Sequence, residues 1–180
     1  MDTTSKFSLD ASFDVKILSD DDFEEFPEII DFVIASRQQL FPMLDHCQLP
    51  EDLLYFDDTF ISTKSGCFIR IRSQQALVAV AGFKAYDFRF QHLNIQPNAT
   101  VELVKLYVSP QYRRMGIAQY LVNELKTIAR QRKINNLYLH THPFLPGAQA
   151  FWLRQGFKLI HQDTDPIWRT LHMLYPLNAT

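Results

Sequence analysis

The sequence predicts a single mixed α/β (α+β) domain built on a mostly antiparallel sheet, and three observations lead there. Strand-patterned and helix-patterned runs follow one another in the order β-α-β-β-β-α-β-α-β-β. The stretch 101–160 reads strand–helix–strand–helix–strand, which places one parallel crossover inside the antiparallel arrangement. The chain has 180 residues, 47% apolar and 21% charged, which suits one sizeable core and is crowded for two.

Each element has a local reason. Phe13 to Leu18 alternates apolar and polar residues as a half-buried strand does. Ser19-Asp20-Asp21-Asp22 supplies N-cap chemistry and negative charge for a helix start. That helix is expected to run to about Leu40, with Pro27 in its first turns and Pro42 beyond its end. A short helix is expected after Pro50, from Glu51 to Phe56. Gly66 to Arg72 alternates Ile69 and Ile71 with Arg70 and Arg72, and Ser73-Gln74-Gln75 makes a turn into the nearly continuous apolar run Ala76 to Tyr86. The pair reads as an antiparallel hairpin whose second strand is buried on both faces. A polar loop runs through Asn98, and Val101 to Val108 forms the next strand, closed by Ser109-Pro110. From Gly116 to Arg132, Ile117, Leu121, Leu125 and Ile128 recur at helical spacing. Leu137 to Thr141 is a strand, Ala148 to Gln155 a helix stopped by Gly156, and Phe157 to His161 and Leu171 to Pro176 are the last two strands.

Several function classes are excluded by what the chain lacks. Its five glycines permit no G-x-G-x-x-G, no G-x-S-x-G and no P-loop. C-x-x-C and H-E-x-x-H are missing too, so no metal is expected; His140 and His142 alone make a weak pair. The longest apolar run, Ala76 to Phe83, is too short to span a bilayer, and Met1 to Lys6 has no basic or apolar leader pattern. Two cysteines, Cys47 and Cys67, suit a reducing compartment, so a cytoplasmic protein without membrane association is expected. Residues 1–12 are expected as an N-terminal extension and 13–177 as the domain.

Charge is unevenly spread. Residues 1–60 hold fifteen acids and three bases, whereas the remaining 120 residues hold fifteen bases and five acids. The chain is therefore either bipolar, with a basic part for an anion and an acidic part for a cation, or simply carries a solvated acidic helix face. An isoelectric point near 6.3 argues against a nucleic-acid partner.

The informative block is Tyr112-Arg113-Arg114-Met115-Gly116-Ile117-Ala118, between a strand end and a helix start. A helix N-terminus offers unpaired N–H groups and partial positive charge, and Gly116 and Ala118 let a ligand approach the backbone closely. Arg113 and Arg114 bring charge to the same place. The block reads either as an anion site or as a tight turn with two surface arginines.

Here the sequence resembles the GNAT superfamily of N-acetyltransferases, whose signature [QR]-x-x-G-x-[GA] is matched by Arg113, Gly116 and Ala118. The strand Glu102 to Val108 resembles the family's central strand, Gly82 its glycine after the third strand, and Ala148, Trp152, Gly156 and Phe157 nearly meet its A-x-x-x-Y-x-x-x-G-F pattern. The resemblance implies a twisted sheet of six to seven strands, flanked by about four helices and splayed at its central parallel pair. It implies acetyl-CoA as cofactor, with pyrophosphate on the amides of about Arg113, Arg114, Met115, Gly116, Ile117 and Ala118. Pantetheine would then pair with the backbone of Leu106, Tyr107 and Val108. A homodimer is common in the family, and Trp168, Tyr175 and the final strands are candidates to contribute to one.

The implied reaction is direct attack of a free amine on the thioester in a ternary complex, so a proton must leave an ammonium group. Glu102 is the candidate base, 14 residues before Gly116 as in several family members. On so apolar a strand its pKa is expected to be raised, with action through a water. The plainer reading is a strand-start carboxylate paired with a surface Arg or Lys. The sequence departs from the family at Trp152, where a tyrosine often protonates the leaving thiolate, and at Leu145, where an asparagine is often found. Tyr138 and His140, with His142, share a strand face and are the candidates to replace the missing acid; each also reads as an ordinary strand polar group. The acidic first third leans toward a small cationic amine as acceptor. A protein or peptide acceptor, and a non-catalytic CoA-binding module, remain the alternatives.

Overall fold

The computed structural model describes residues 9–96 and 99–177. Seven strands form one sheet: β1 (Phe13–Ile17), β2 (Cys67–Ser73), β3 (Ala76–Ala85), β4 (Thr100–Val108), β5 (Asn136–Thr141), β6 (Lys158–Gln162) and β7 (Leu171–Pro176). Their spatial order is β1-β2-β3-β4-β5-β7-β6, and every pair is antiparallel except β4–β5. The helices are α1 (Phe26–Leu40), α2 (Glu51–Leu54), α3 (Ile117–Gln131) and α4 (Ala148–Arg154). This is the splayed mixed sheet expected. Residues 1–8 of the expected N-terminal extension lie outside the described residues.

Alternation along the strands sorts the core into two layers. Ile69, Ile71, Ala79, Ala81, Phe83 and Leu103 pack against Leu121, Leu125 and Ile128 of α3. On the opposite face Phe68, Val80 and Tyr107 pack against Ile29 and Val33 of α1, with Phe56 and Phe60 beneath. Gly82 is where the layers leave no room: an added Cβ would come within 2.7 Å of the Phe68 ring. A third, smaller cluster gathers Tyr86, Leu93, Ile95 and Tyr138, so the loop after β3, read as merely polar, anchors itself with apolar residues.

Two elements differ from expectation. The helix begins later than Asp20: residues Asp20–Glu25 form a 3-10 turn, and α1 starts at Phe26, one residue before Pro27. Proline lacks an N–H and fits only a helix's first turn, so it sets that start. The predicted helix 51–56 is only Glu51–Leu54, followed by a π-helical turn over Asp57–Ile61.

Five acids of the first third, Asp14, Asp22, Glu25, Glu28 and Asp52, are paired with bases in this fold. Arg70 is buried and bonds Asp14 and Glu25, while Arg72 bonds Glu25 and Glu28. Lys16 pairs with Asp22, and Asp52 with Lys105 at 2.8 Å. These acids are neutralised between β1, β2, α2 and the start of α1.

Candidate active site at the split of the sheet

The parallel ladder between β4 and β5 lasts only from Thr100–Asn136 to Glu102–Tyr138. Beyond it the strands separate, and the gap opens into a cleft of about 850 Å³. A β-bulge helps: between Val80 and Gly82 of β3, β4 runs from Tyr107 to Val104, one residue more than its partner. Lys105 in that bulge has φ +58°, the left-handed region, and its Nζ is held by Asp52. Bulges bend a strand and unpair its edge. The end of α1 walls one side through Ser36, Arg37 and Leu40, and α4 the other through Phe151 and Trp152. Tyr107 Oη donates to Gln39 Oε1 at 2.6 Å and ties β4 to α1.

The turn before α3 stands at the foot of this split. Gly116 caps α3 at φ +82°, a conformation glycine adopts without Cβ strain. The first backbone bond of the helix runs from Tyr120 N–H to Gly116 C=O. The amides of Arg114, Met115, Gly116, Ile117, Ala118 and Gln119 donate to no acceptor among the described residues. Unpaired donors at a helix N-terminus are chemically able to receive an anion. Arg113 fits differently from expectation. Its amide already donates to Pro110 C=O at 3.2 Å, so it is not among them, and its Nε donates to Val108 C=O. Its side chain still lines the cleft, as do Leu106, Tyr107, Val108 and Ala118.

Glu102 is completely buried at the point where β4 and β5 part. Arg89, on the loop after β3, grips both oxygens at 2.8 and 2.6 Å. His140 Nδ1 lies 2.9 Å from Oε1. The expected raised pKa is overturned. Burial does push the carboxyl up, but the hydrogen bonds and charges of His140 and Arg89 outweigh it and hold Glu102 down at about 2. A carboxylate this stable takes up a proton near neutral pH only at a cost of several kcal/mol. An ionised carboxylate only accepts, so His140 Nδ1 carries the hydrogen toward it. When the ring is neutral Nε2 keeps its lone pair, and His140, unlike Glu102, lines the cleft.

Tyr138 is placed where it serves no cleft chemistry. It is fully buried behind Glu102, and its hydroxyl lies 2.7 Å from His172 Nδ1. Burial pushes its pKa strongly upward, and it does not line the cleft. His142 does line the cleft, stacked on Phe144 at 5.1 Å and against Trp168. Burial first, and the nearby charge of His140 second, lower its pKa. Trp152 also borders the cleft, and its indole N–H is a donor without useful acidity. Trp168 and Tyr175 are engaged within the chain, the latter under Lys126 Nζ at 4.0 Å and beside Phe157. No Asp or Glu lines the cleft among the described residues, whereas Arg37, Lys105 and Arg113 do. The acidic first third therefore gives no support to a cationic acceptor.

Arg89 and its neighbour Phe90, which packs 5.7 Å from the His140 ring, were not anticipated as site residues. Their only signal was an Asp87-x-Arg89 pair in a loop between strands.

A mixed sheet split at its one parallel pair, with an amide cradle heading the next helix, is the N-acetyltransferase fold class. The chain belongs to the acetyltransferase (GNAT) family, whose model matches residues 21–157. It is 26% identical over 138 residues to N-acetyltransferase 8 of Homo sapiens, covering 72% of this chain and 57% of that protein, so it spans little more than half the relative's length. Its fold matches a GNAT acetyltransferase of Staphylococcus aureus Mu50 with TM-score 0.71 at 20% identity, over 91% of this chain and 99% of the other. It also matches yncA of Salmonella typhimurium, a structure that holds acetyl-CoA, with TM-score 0.71 at 13% identity over 94% and 96%. No helix among the described residues is long and apolar enough to cross a membrane.

Proposed function

We propose that the domain spanning residues 13–177 is an acetyl-CoA-dependent N-acetyltransferase acting on a small primary amine. The observation that carries this is the run of unpartnered amides from Arg114 to Gln119 at the foot of the split sheet. They suit a pyrophosphate, and the open edge of β4 at Leu106–Val108 suits the amide-bearing pantetheine arm, as the family and the acetyl-CoA held by yncA support.

His140 is the general base and Glu102 its positioning residue. The amine nitrogen attacks the thioester carbonyl and its proton passes to His140 Nε2. The C–S bond breaks and CoA leaves as a thiolate, a tolerable leaving group at a thiol pKa near ~8.5, so the missing tyrosine at Trp152 is no obstacle. Glu102 fixes the imidazole tautomer and stabilises the imidazolium formed in the reaction.

The acceptor is an amine on an apolar or aromatic body. Among the described residues Phe41, Phe90 and Trp168 line the cleft and no acid does, so a polycation would meet Arg37 there, beside a Lys105 already paired with Asp52, and no facing carboxylate. Walls from α1 and α4 on both sides suit a small molecule better than a peptide chain. The test is thiol release from acetyl-CoA over a panel of aromatic, aliphatic, polyamine, aminoglycoside and peptide amines. Turnover is expected highest with apolar or aromatic amines. Preference for polyamines would overturn the acceptor class, and binding of acetyl-CoA without turnover on any amine would make the chain a CoA-binding module.

A further inference from the structure

The last three strands carry a second polar cluster on the sheet face that bears His140. In the β5–β7–β6 register His140 lies opposite His172, and His172 opposite His161. Asp163 follows β6, its amide pinned to Thr170 C=O at 2.9 Å. The loop after β3 folds back and adds His92. His92 Nε2 lies 3.3 Å from Asp163 Oδ1, His161 Nε2 3.5 Å from the same oxygen, and His172 Nε2 3.2 Å from Oδ2.

His172 is the telling residue. It is wholly buried, yet its Nε2 makes no hydrogen bond, because the nearby Asp163 oxygen lies outside hydrogen-bond geometry. A buried polar nitrogen without a partner is costly. Its other nitrogen, Nδ1, sits 2.7 Å from the Tyr138 hydroxyl. With the hydrogen on Nδ1, donated to Tyr138, the lone pair on Nε2 points into the cluster. A metal-bound histidine carries the same pattern, with its second nitrogen hydrogen-bonded behind it.

We propose that His92, Asp163 and His172 bind one divalent transition-metal ion of the zinc class, with His161 at the rim of the group, a site separate from the acetyl-transfer cleft. One ligand atom each from His92, Asp163 and His172 already lie within 4.8 Å of one another. Bonds of about 2.0–2.1 Å in a tetrahedron put ligand atoms roughly 3.3 Å apart, and the nitrogens of His92 and His172 lie 3.3 and 3.2 Å from the two oxygens of Asp163. Two imidazoles and one carboxylate suit zinc rather than calcium or magnesium, which take oxygen ligands. His92 and His161 are each nearly half exposed, which leaves a way in. The ion would fasten the loop that carries Arg89 and Phe90 to the β6–β7 edge. The site escapes sequence inspection because its ligands come from three separate segments, the loop after β3, the end of β6 and β7.

The experiment is calorimetric titration of the chelator-treated full-length protein with zinc alone, and with cobalt followed by visible spectroscopy. One equivalent of zinc is expected to bind and raise the melting temperature, and cobalt should give the absorption of a four-coordinate ion. His92→Ala and Asp163→Asn should each weaken zinc by more than about 100-fold, because even partners behind a ligand are worth about 10–100-fold. His46→Ala, remote from the cluster, should leave the affinity unchanged. His92 is exposed, so His92→Ala should keep the melting temperature of the metal-free protein. Absence of a saturable equivalent, equal affinity in His92→Ala and Asp163→Asn, or a six-coordinate cobalt spectrum would each overturn the site. None of these readouts depends on acetyl transfer.

Discussion

Two arginine–carboxylate clusters flank the middle of this sheet, and their chemistry is nearly the same. On β2, a buried Arg70 meets Asp14 and Glu25, whose side chains reach solvent. On β4, a buried Glu102 meets Arg89, whose side chain is 36% exposed. The strands around Arg70 are paired on both sides, so that cluster closes on itself and serves only the fold. The strands around Glu102 part at that residue, so His140 joins it with one ring edge toward a cleft. An ion pair becomes a candidate catalytic device where backbone pairing stops.

That contrast can be broken or sharpened by substitution. The largest effect is expected from His140→Ala, a loss of about 10²–10⁴ in kcat with acetyl-CoA affinity held, the usual worth of a general base; steady-state kinetics would show it, and an unchanged kcat would remove His140 from catalysis. Arg89→Ala leaves a buried carboxylate without its main partner and should destabilise by roughly 3–5 kcal/mol in denaturant unfolding. The acid titration of the fold comes next. Glu102 has a pKa of about 2 folded, against an ordinary 4.5, so its contribution is complete above pH 4.5 and disappears as pH falls toward 2. It amounts to at most about 3 kcal/mol, and Glu102→Gln should flatten that part of the stability curve. Arg70→Ala strands only acids that reach water, so roughly 1–3 kcal/mol is expected, with kcat/KM unchanged. The smallest test is labelling. Cys47 is exposed and should react with a thiol reagent in the native protein, whereas burial pushes the Cys67 thiol up to about 11 and should protect it.

The sequence made strand order legible through periodicity, and the amide cradle through the Arg113-x-x-Gly116-x-Ala118 spacing. Both are local properties. What it hid was long-range. Arg89 meets Glu102 only because the loop after β3 buries Leu93 and Ile95 and turns back over β4 and β5. Glu102 was expected to be a lone carboxylate with a raised pKa because no nearby residue in the chain announces a partner. Tyr138 and His140 share a face, as parity predicted, yet parity does not say that Tyr138 lies behind the site and His140 at its edge. The partners of Asp14, Glu25 and Glu28 in the acidic first third were hidden for the same reason, since Arg70 and Arg72 come from a strand more than 40 residues later.

Calorimetric titration with acetyl-CoA of the wild-type protein and of Gly116→Glu tests the central claim most directly. A side chain at φ +82° strains the turn and sets a carboxylate among the amides meant for a diphosphate. The wild type should bind one equivalent, and the variant, folded by circular dichroism, should show no measurable binding. Equal affinity in the two proteins would contradict the assignment of this turn.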